Sequence, residues 1–288
     1  MEPTVKPLRS DHDPVTLVDA YARSPIGQGV VWLFAGVTTV LSIAVLLLVP
    51  GLGGPVIVVF IPTVTAAVLI GASAGRGQVK SLLFGARVWR VGLKWAVITL
   101  GLAALLRIAV SVVGEAVVAD YEWRPGDFTP LLLGVFLFAA GEEIGWRGFA
   151  LTALLGRGYR PLTATLLLSI PWALLHVPLI QPGGLNEGWS VWALLPFMVG
   201  LSVLVNWTYL ASGLSVGAAV LFHGGQNALA VLNDGLGPQA AGWVMAAVYG
   251  TAALIVVVTT KGRLSRAPDR LVRGSLRPTE IPNGRWPS

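Results

Sequence analysis

The sequence predicts an all-α membrane protein, a polytopic bundle of about eight transmembrane helices. Two observations of composition and pattern support this fold class. Of the 288 residues, 55% are hydrophobic and only 12% are charged, whereas soluble domains contain about 25% charged residues. The apolar residues also lie in long unbroken runs. A transmembrane barrel would instead show short segments of alternating hydrophobicity, so a multi-pass helical protein of the cell membrane is expected.

Eight apolar runs approach the length of about 20 residues that a helix needs to cross a bilayer. They cover approximately residues 28–49, 54–73, 95–118, 129–150, 161–180, 189–210, 214–233 and 240–260. The seventh run is the least hydrophobic because it contains several glycines together with histidine, glutamine and asparagine.

Charges outside these runs predict how the bundle is oriented. With eight crossings, the bases of the N-terminal tail, the second-to-third and fourth-to-fifth connections and the C-terminal tail all lie on one side. The opposite side carries mainly acids, at Asp120, Glu122, Asp127, Glu187 and Asp234. Because Lys and Arg are enriched in cytoplasmic loops, we expect both termini to be cytoplasmic.

Three regions are expected along the chain. Residues 1–27 form a polar, proline-bearing tail without the short apolar core and cleavage site of a signal peptide. Residues 28–260 form the bundle, and residues 261–288 form a basic disordered tail. Within the bundle, residues 76–94 mix bases with apolar side chains, which favours an amphipathic interfacial helix.

Composition also bears on partners. The chain has no cysteine, which excludes disulfides, cysteine-ligated zinc and cysteine nucleophiles. The net charge is +6, but the bases lie in loops and tails, where they set orientation and can contact anionic lipid. No nucleic-acid-binding motif is present, so membrane lipid rather than nucleic acid is the expected partner. No pattern indicates an oligomeric state.

The fourth apolar run contains three ionisable residues, Glu142, Glu143 and Arg147. Such groups cost roughly 2.5–3.5 kcal/mol at a helix centre when they are Asp, Lys or Arg, and they are usually functional. Glu143 and Arg147 are four residues apart and can pair, whereas Glu142 is turned by about 100°. The run therefore predicts either a buried ion pair that fastens two helices, or a pair beside a free carboxylate facing a cavity.

Histidines occupy two further runs. His176 follows Trp172 by one helical turn, with Pro171 and Pro178 weakening the local backbone ladder. In the seventh run His223 and Asn227 are four residues apart and share a face. Either set can serve interhelical hydrogen bonding, as is common in membranes, or can line a site.

Two more polar residues lie within spans. Arg107, in the third run, is expected either to snorkel towards the membrane interface or to pair with Glu115 or Asp120. Asn206 begins the glycosylation sequon Asn206-Trp207-Thr208, but its place within a span predicts that the sequon is unused.

Taken together, three motifs resemble one family. They are Glu-Glu-x-x-x-Arg at 142–147, aromatic-x-x-x-His at 172–176 and His-x-x-x-Asn at 223–227, in this order on three apolar runs. They resemble the CPBP family, the CAAX proteases and bacteriocin-processing enzymes also called the Abi family, over a core of about residues 130–232. One departure is that Trp172 stands where the prenyl-protein proteases usually have Phe.

The resemblance implies an intramembrane endopeptidase that cleaves a membrane-associated substrate, either CAAX-like or a leader peptide. Glu142 and His176 would activate water, and His223 and Asn227 would stabilise the oxyanion. The second glutamate and the arginine, Glu143 and Arg147, would form a supporting pair. We expect no cofactor; if zinc were present, its ligands would be Glu142, His176 and His223.

Two other functions remain open from the residues. Buried Glu and His are also the usual parts of proton-coupled transporters, although no internal repeat of the transporter kind is found. A non-catalytic scaffold or immunity protein on the same fold is the second alternative, because fold does not fix function.

Overall fold

The computed structural model describes residues 28–49, 51 and 53–265. Within these residues every regular element is helical. The helices are α1 (Gln28–Leu48), α2 (Gly53–Val58), α3 (Ile61–Ala74), α4 (Arg76–Phe84), α5 (Ala86–Trp89), α6 (Leu93–Val117), α7 (Val135–Glu143), α8 (Thr152–Gly156), α9 (Pro161–Leu174), α10 (Val191–Ala211), α11 (Val216–Ala228) and α12 (Pro238–Thr259). A π-helical segment, Ile144–Leu151, joins α7 to α8, and 3₁₀ turns occupy Pro130–Gly134, Val177–Ile180 and Leu229–Asn233.

Among the described residues, five segments are long and apolar enough to cross a membrane. They are Gly29–Leu48, Gly53–Ala74, Leu93–Val117, Val191–Ala211 and Pro238–Thr259. The prediction of an all-α membrane bundle is thereby confirmed, and the number of eight crossings and the cytoplasmic placement of both termini stay predictions.

The other three predicted spans, 129–150, 161–180 and 214–233, are helical but interrupted. The π segment forms the last part of the first, and 3₁₀ turns form the last part of the other two. These three spans hold all the ionisable residues of the sequence motifs. Irregular backbone at membrane depth is tolerated where protein covers it or where it lines a cavity.

The predicted tails lie largely outside the described residues, which exclude 1–27 and 266–288. Residues 261–265 are described, and they form turns with Leu264 fully buried. The chain therefore stays packed on the bundle for five residues beyond the predicted end of the helical region at 260.

Helix α11 lies at the centre of the bundle, packed against α6, α7 and α10. Ser215 fixes its start, because the Ser215 hydroxyl accepts a hydrogen bond from the Ala218 N–H at 3.1 Å and so satisfies one of the free donors of the first turn. Helices α9, α10 and α12 complete the core, with α10 packed extensively on α12.

The π segment packs on α3 at very close range. All eight of its residues are buried, and a Cβ added to Gly145 would lie 2.5 Å from the backbone carbonyl of Pro62. Gly141 is equally constrained, since an added Cβ would lie 2.6 Å from the Val59 carbonyl oxygen. Small residues at these positions let the two helix backbones approach closely.

Arg107 does not form the ion pair expected from the sequence. Its Nε donates to the Gln226 carbonyl at 2.7 Å and its Nη1 donates to the Asn233 side chain at 3.0 Å. Ion pairs among the described residues do not include it. The expectation of a Glu115 or Asp120 partner was wrong, because the guanidinium instead fastens α6 to the end of α11 and the turn beyond it.

Residues 76–94 were expected to form one interfacial helix, and the structure divides this segment. Gly85 adopts an extended conformation between α4 and α5, and the Trp89 indole N–H donates to the Leu83 carbonyl at 2.7 Å across the break. We call residues 76–94 the basic segment.

The close approach of α3 to the π segment predicts that Gly145→Ala destabilises the protein. The added methyl group meets backbone that cannot rotate away, and overpacking of this kind costs about 1–3 kcal/mol or more. Gly101→Ala is the matched control, since a Cβ there meets nothing within 4 Å and alanine favours the helix by up to about 1 kcal/mol. Thermal unfolding in detergent measures both; equal midpoints for the two variants would contradict the packing described.

Candidate active site

Glu143 is the buried centre of the polar cluster. Its side chain has no exposed surface, and its Oε1 accepts hydrogen bonds from Arg147 Nη1 at 2.9 Å and from His223 Nδ1 at 2.7 Å. The pairing of Glu143 with Arg147 across one helical turn agrees with the sequence prediction. Since His223 lies on α11, this one oxygen also ties the fourth predicted span to the seventh.

The cluster extends through Asn206, whose role the sequence did not indicate. Arg147 Nε donates to Asn206 Oδ1 at 2.8 Å, and Asn206 Nδ2 donates to Thr165 Oγ1 at 2.9 Å. Asn206 is buried on α10 and Thr165 is buried on α9. A continuous chain of hydrogen bonds therefore runs from His223 to Thr165 through four separate helical stretches.

Glu142, the neighbouring carboxylate, has a different environment. Its Oε2 accepts a hydrogen bond from the Trp172 indole N–H at 2.8 Å, and its Oε1 has no hydrogen-bond partner among the described residues. The side chain retains a small exposed area. The rotation of about 100° between consecutive helical residues thus places one carboxylate among cations and the other beside an indole.

Trp172 brings the three motifs together. Its ring meets the rings of His176 and His223 edge to face, with centroids 5.5 and 5.7 Å away. The Arg147 guanidinium carbon lies 4.4 Å from the Trp172 ring centroid, within the range of a cation–π contact. Because Trp172 also bonds Glu142, it contacts four of the six residues that the sequence singled out.

The end of α9 determines the tautomer of His176. The His176 backbone N–H donates to the Ala173 carbonyl instead of the Trp172 carbonyl that an α-helix would use. The freed Trp172 carbonyl lies 2.6 Å from His176 Nδ1. A carbonyl can only accept, so Nδ1 carries the proton and the lone pair of the neutral ring is on Nε2. His176 itself is half-buried.

His223 and Asn227 share a face of α11, as predicted, but their contacts differ. His223 is buried and commits Nδ1 to Glu143, which leaves only Nε2 for other partners. That nitrogen can donate a hydrogen bond only when the ring is protonated. Asn227 is half-buried, and its side chain makes no hydrogen bond in the part of the chain that the structure describes.

A narrow, partly open cavity with room for about one water molecule lies beside this cluster. Its lining consists of Trp146, Arg147, Leu168, Trp172, Ser202 and Asn206. The buried Trp146 indole N–H has no acceptor among the described residues. The polar interior is thus open to a small ligand such as water on the Arg147 side, since buried waters occupy polar cavities with unsatisfied groups.

The donor set does not fit a catalytic zinc ion. Among the described residues no three His, Asp or Glu side chains are grouped so that they could hold a metal, and a catalytic zinc needs three protein ligands. In addition, one oxygen of Glu142 already accepts the Trp172 N–H. No chemical step is therefore assigned to a metal.

Comparison with known proteins confirms the family resemblance. Residues 124–229 match the family described as "Type II CAAX prenyl endopeptidase Rce1-like". The chain is also 30% identical over 131 residues to the CAAX prenyl protease 2 of Methanococcus maripaludis. This match covers 41% of the present chain and 48% of that protein, so it spans about half of the relative's length. All seven residues of the three motifs lie within the matched range of 124–229.

The chain from His223 to Thr165 predicts that Asn206→Leu destabilises the protein. Leucine keeps the volume but leaves Arg147 Nε without an acceptor, and hydrogen bonds to charged groups contribute about 1.5–3 kcal/mol. Thr165→Val removes only the last bond and should cost about 1 kcal/mol. Thermal unfolding of both variants checks this order. An Asn206→Leu midpoint equal to that of the wild type would show that the bond does not hold Arg147.

Proposed function

We propose that the protein is an intramembrane endopeptidase that hydrolyses a peptide bond of a membrane-associated substrate. The observation that carries this proposal is the separation of two adjacent carboxylates. Glu143 is fully buried and forms an ion pair with Arg147 and a hydrogen bond with His223, whereas Glu142 forms no ion pair among the described residues and retains a small exposed area. One oxygen of each carboxylate has no hydrogen-bond partner among the described residues, but that of Glu143 is buried. A carboxylate that is held in place but not neutralised is what a general base requires.

In the proposed reaction, Glu142 Oε1 accepts a proton from water while the water oxygen attacks the carbonyl carbon of the substrate. His176 Nε2, whose lone pair follows from the Nδ1 contact with the Trp172 carbonyl, accepts the second hydrogen bond of that water. The proton taken by Glu142 then passes to the leaving nitrogen as the carbon–nitrogen bond breaks. Water thereby adds its hydroxyl to one product and its proton to the other.

The tetrahedral oxyanion needs donors at the position where its charge develops. Asn227, on the face of α11 that also carries His223, supplies an amide N–H₂. His223 supplies a second donor through Nε2 when its ring is protonated. A protonated His223 would balance the charge of the site. Two ionised carboxylates, Glu142 and Glu143, face a single guanidinium, that of Arg147, so one further positive charge makes the cluster neutral. Removing one oxyanion donor typically costs about 2.7–4 kcal/mol in the transition state.

The name of the matched relative suggests two candidate classes of peptide substrate. The relative is named a CAAX prenyl protease, so a peptide ending in a lipidated Cys-a-a-X motif is the first candidate. A leader peptide without a prenyl group is the second, since Trp172 replaces the Phe usual in prenyl-protein proteases. Purified protein in vesicles, given farnesylated and unmodified forms of one CAAX peptide, separates the two by mass spectrometry of the released fragments.

Glu142→Gln is expected to abolish hydrolysis while the protein stays folded. Glutamine keeps the volume and can still accept the Trp172 N–H, but it cannot take a proton from water, and such catalysis is typically worth about 10²–10⁴-fold in rate. Glu115→Gln is the matched control, because Glu115 is exposed on α6. The substrate is any membrane peptide whose terminus differs between cells with and without the gene. Cleavage of that peptide by Glu142→Gln at the wild-type rate would reject the proposed base.

Metal-free hydrolysis predicts that a strong zinc chelator leaves the rate unchanged. The rate of hydrolysis by the same preparation is measured before and after incubation with 1,10-phenanthroline. Zinc is then added to the chelator-treated sample, and the rate is measured again. A rate that falls with the chelator and returns with zinc would overturn the metal-free part of the proposal and leave the peptidase assignment intact.

A further inference from the structure

The basic segment contains five bases and no acid between residues 76 and 94. Four of these bases, Arg76, Lys80, Arg90 and Lys94, are exposed. None of the four has an ion-pair partner in the part of the chain that the structure describes. The segment therefore presents a concentrated positive charge that forms no ion pair with the described residues at these four bases.

Apolar side chains of the basic segment point in two directions. Leu82 and Val88 are buried against the bundle, whereas Phe84 is 73% exposed and Leu93 is 81% exposed. A segment that packs inward with one set of apolar residues and exposes another beside bases has the character of an element lying at a membrane interface. The exposed apolar groups would enter the acyl boundary, and the bases would lie at the level of the headgroups.

The basic segment is also fastened directly to the helices that carry the candidate site. An added Cβ at Gly148 of the π segment would lie 3.0 Å from the Leu82 side chain. On α11, an added Cβ at Gly217 would lie 2.7 Å from the Trp89 carbonyl oxygen. The Ser215 hydroxyl, at the start of α11, donates to the Arg90 carbonyl at 2.9 Å.

From these contacts we propose that the basic segment is a binding surface for anionic phospholipid headgroups, and that lipid bound there stabilises the packing of the π segment and α11. Charge complementarity identifies the occupant, since four unpaired bases at an interface attract anionic lipid. Leu82, Trp89 and Arg90 of the basic segment contact the π segment and α11. Lipid bound to the basic segment therefore stabilises the helices that carry the candidate site. This inference concerns binding and stability and does not depend on the proposed peptidase activity.

Binding is tested on the purified protein by native mass spectrometry with phosphatidylglycerol and phosphatidylcholine. The wild type should retain phosphatidylglycerol preferentially. A variant carrying Arg76→Gln, Lys80→Gln, Arg90→Gln and Lys94→Gln should bind it at least about tenfold more weakly, since each base near an anionic surface contributes about fivefold. The matched variant with Arg and Lys exchanged at the same four positions keeps the charge and should bind like the wild type.

Thermal unfolding gives a second measurement that does not require the fourfold variant to fold. Phosphatidylglycerol should raise the midpoint of the wild type in proportion to its binding, and high salt should reduce this shift because salt screens exposed charges. Inorganic phosphate at equal charge should have no effect. Equal retention of both lipids, a wild-type shift insensitive to salt, or a shift reproduced by phosphate would overturn the proposal.

Discussion

A single fully buried carboxylate holds the polar interior of this bundle together. Glu143 accepts from a guanidinium on its own helix and from an imidazole on α11, so two cationic or proton-bearing groups converge on one oxygen. Buried charges at membrane depth persist only when they are paired and hydrogen-bonded. Arg147 in turn is held by Asn206, and Asn206 by Thr165. Removing the Glu143 carboxylate would therefore leave Arg147 Nη1 and His223 Nδ1 without their acceptor at once.

The neighbouring carboxylate, Glu142, lies outside this ion pair. Consecutive residues of a helix point in different directions, and among the described residues Glu142 forms no ion pair with the groups that contact Glu143. Trp172 gives it one N–H donor and also contacts both histidine rings. Two glutamates that are adjacent in the chain thus have different partners, and this difference supports the role proposed for Glu142.

Much of this organisation could be predicted from the sequence, because its causes are local. The Glu143–Arg147 pair follows from a spacing of four residues on a helix, and the contact of Trp172 with His176 follows from the same spacing. The three motifs together indicated a resemblance to one family, and residues 124–229 match a model of CAAX prenyl endopeptidases. Periodicity and charge were sufficient because each of these features depends on one helix or on a motif already known.

The remaining features depend on contacts between distant segments. The π segment rests on the fit of Gly145 against Pro62, about 80 residues earlier in the chain. Asn206 was noted from the sequence only as part of an unused glycosylation sequon. Nothing near it in the sequence indicates that it contacts Arg147. The Arg107 partners are a backbone carbonyl and an asparagine, neither of which a search for opposite charges would find. The proton on His176 Nδ1 required knowing which carbonyl the end of α9 leaves free.

Glu143 stabilises the buried polar cluster, whereas Glu142 contributes little to stability. The thermal unfolding of two matched variants tests this difference most directly. Glu143→Gln removes the charge that offsets Arg147, and breaking a buried pair costs about 3–5 kcal/mol, so its unfolding midpoint should fall sharply. Glu142→Gln retains an acceptor for the Trp172 N–H and should unfold near the wild-type midpoint. Equal losses of stability in the two variants, or a larger loss in Glu142→Gln, would contradict the account.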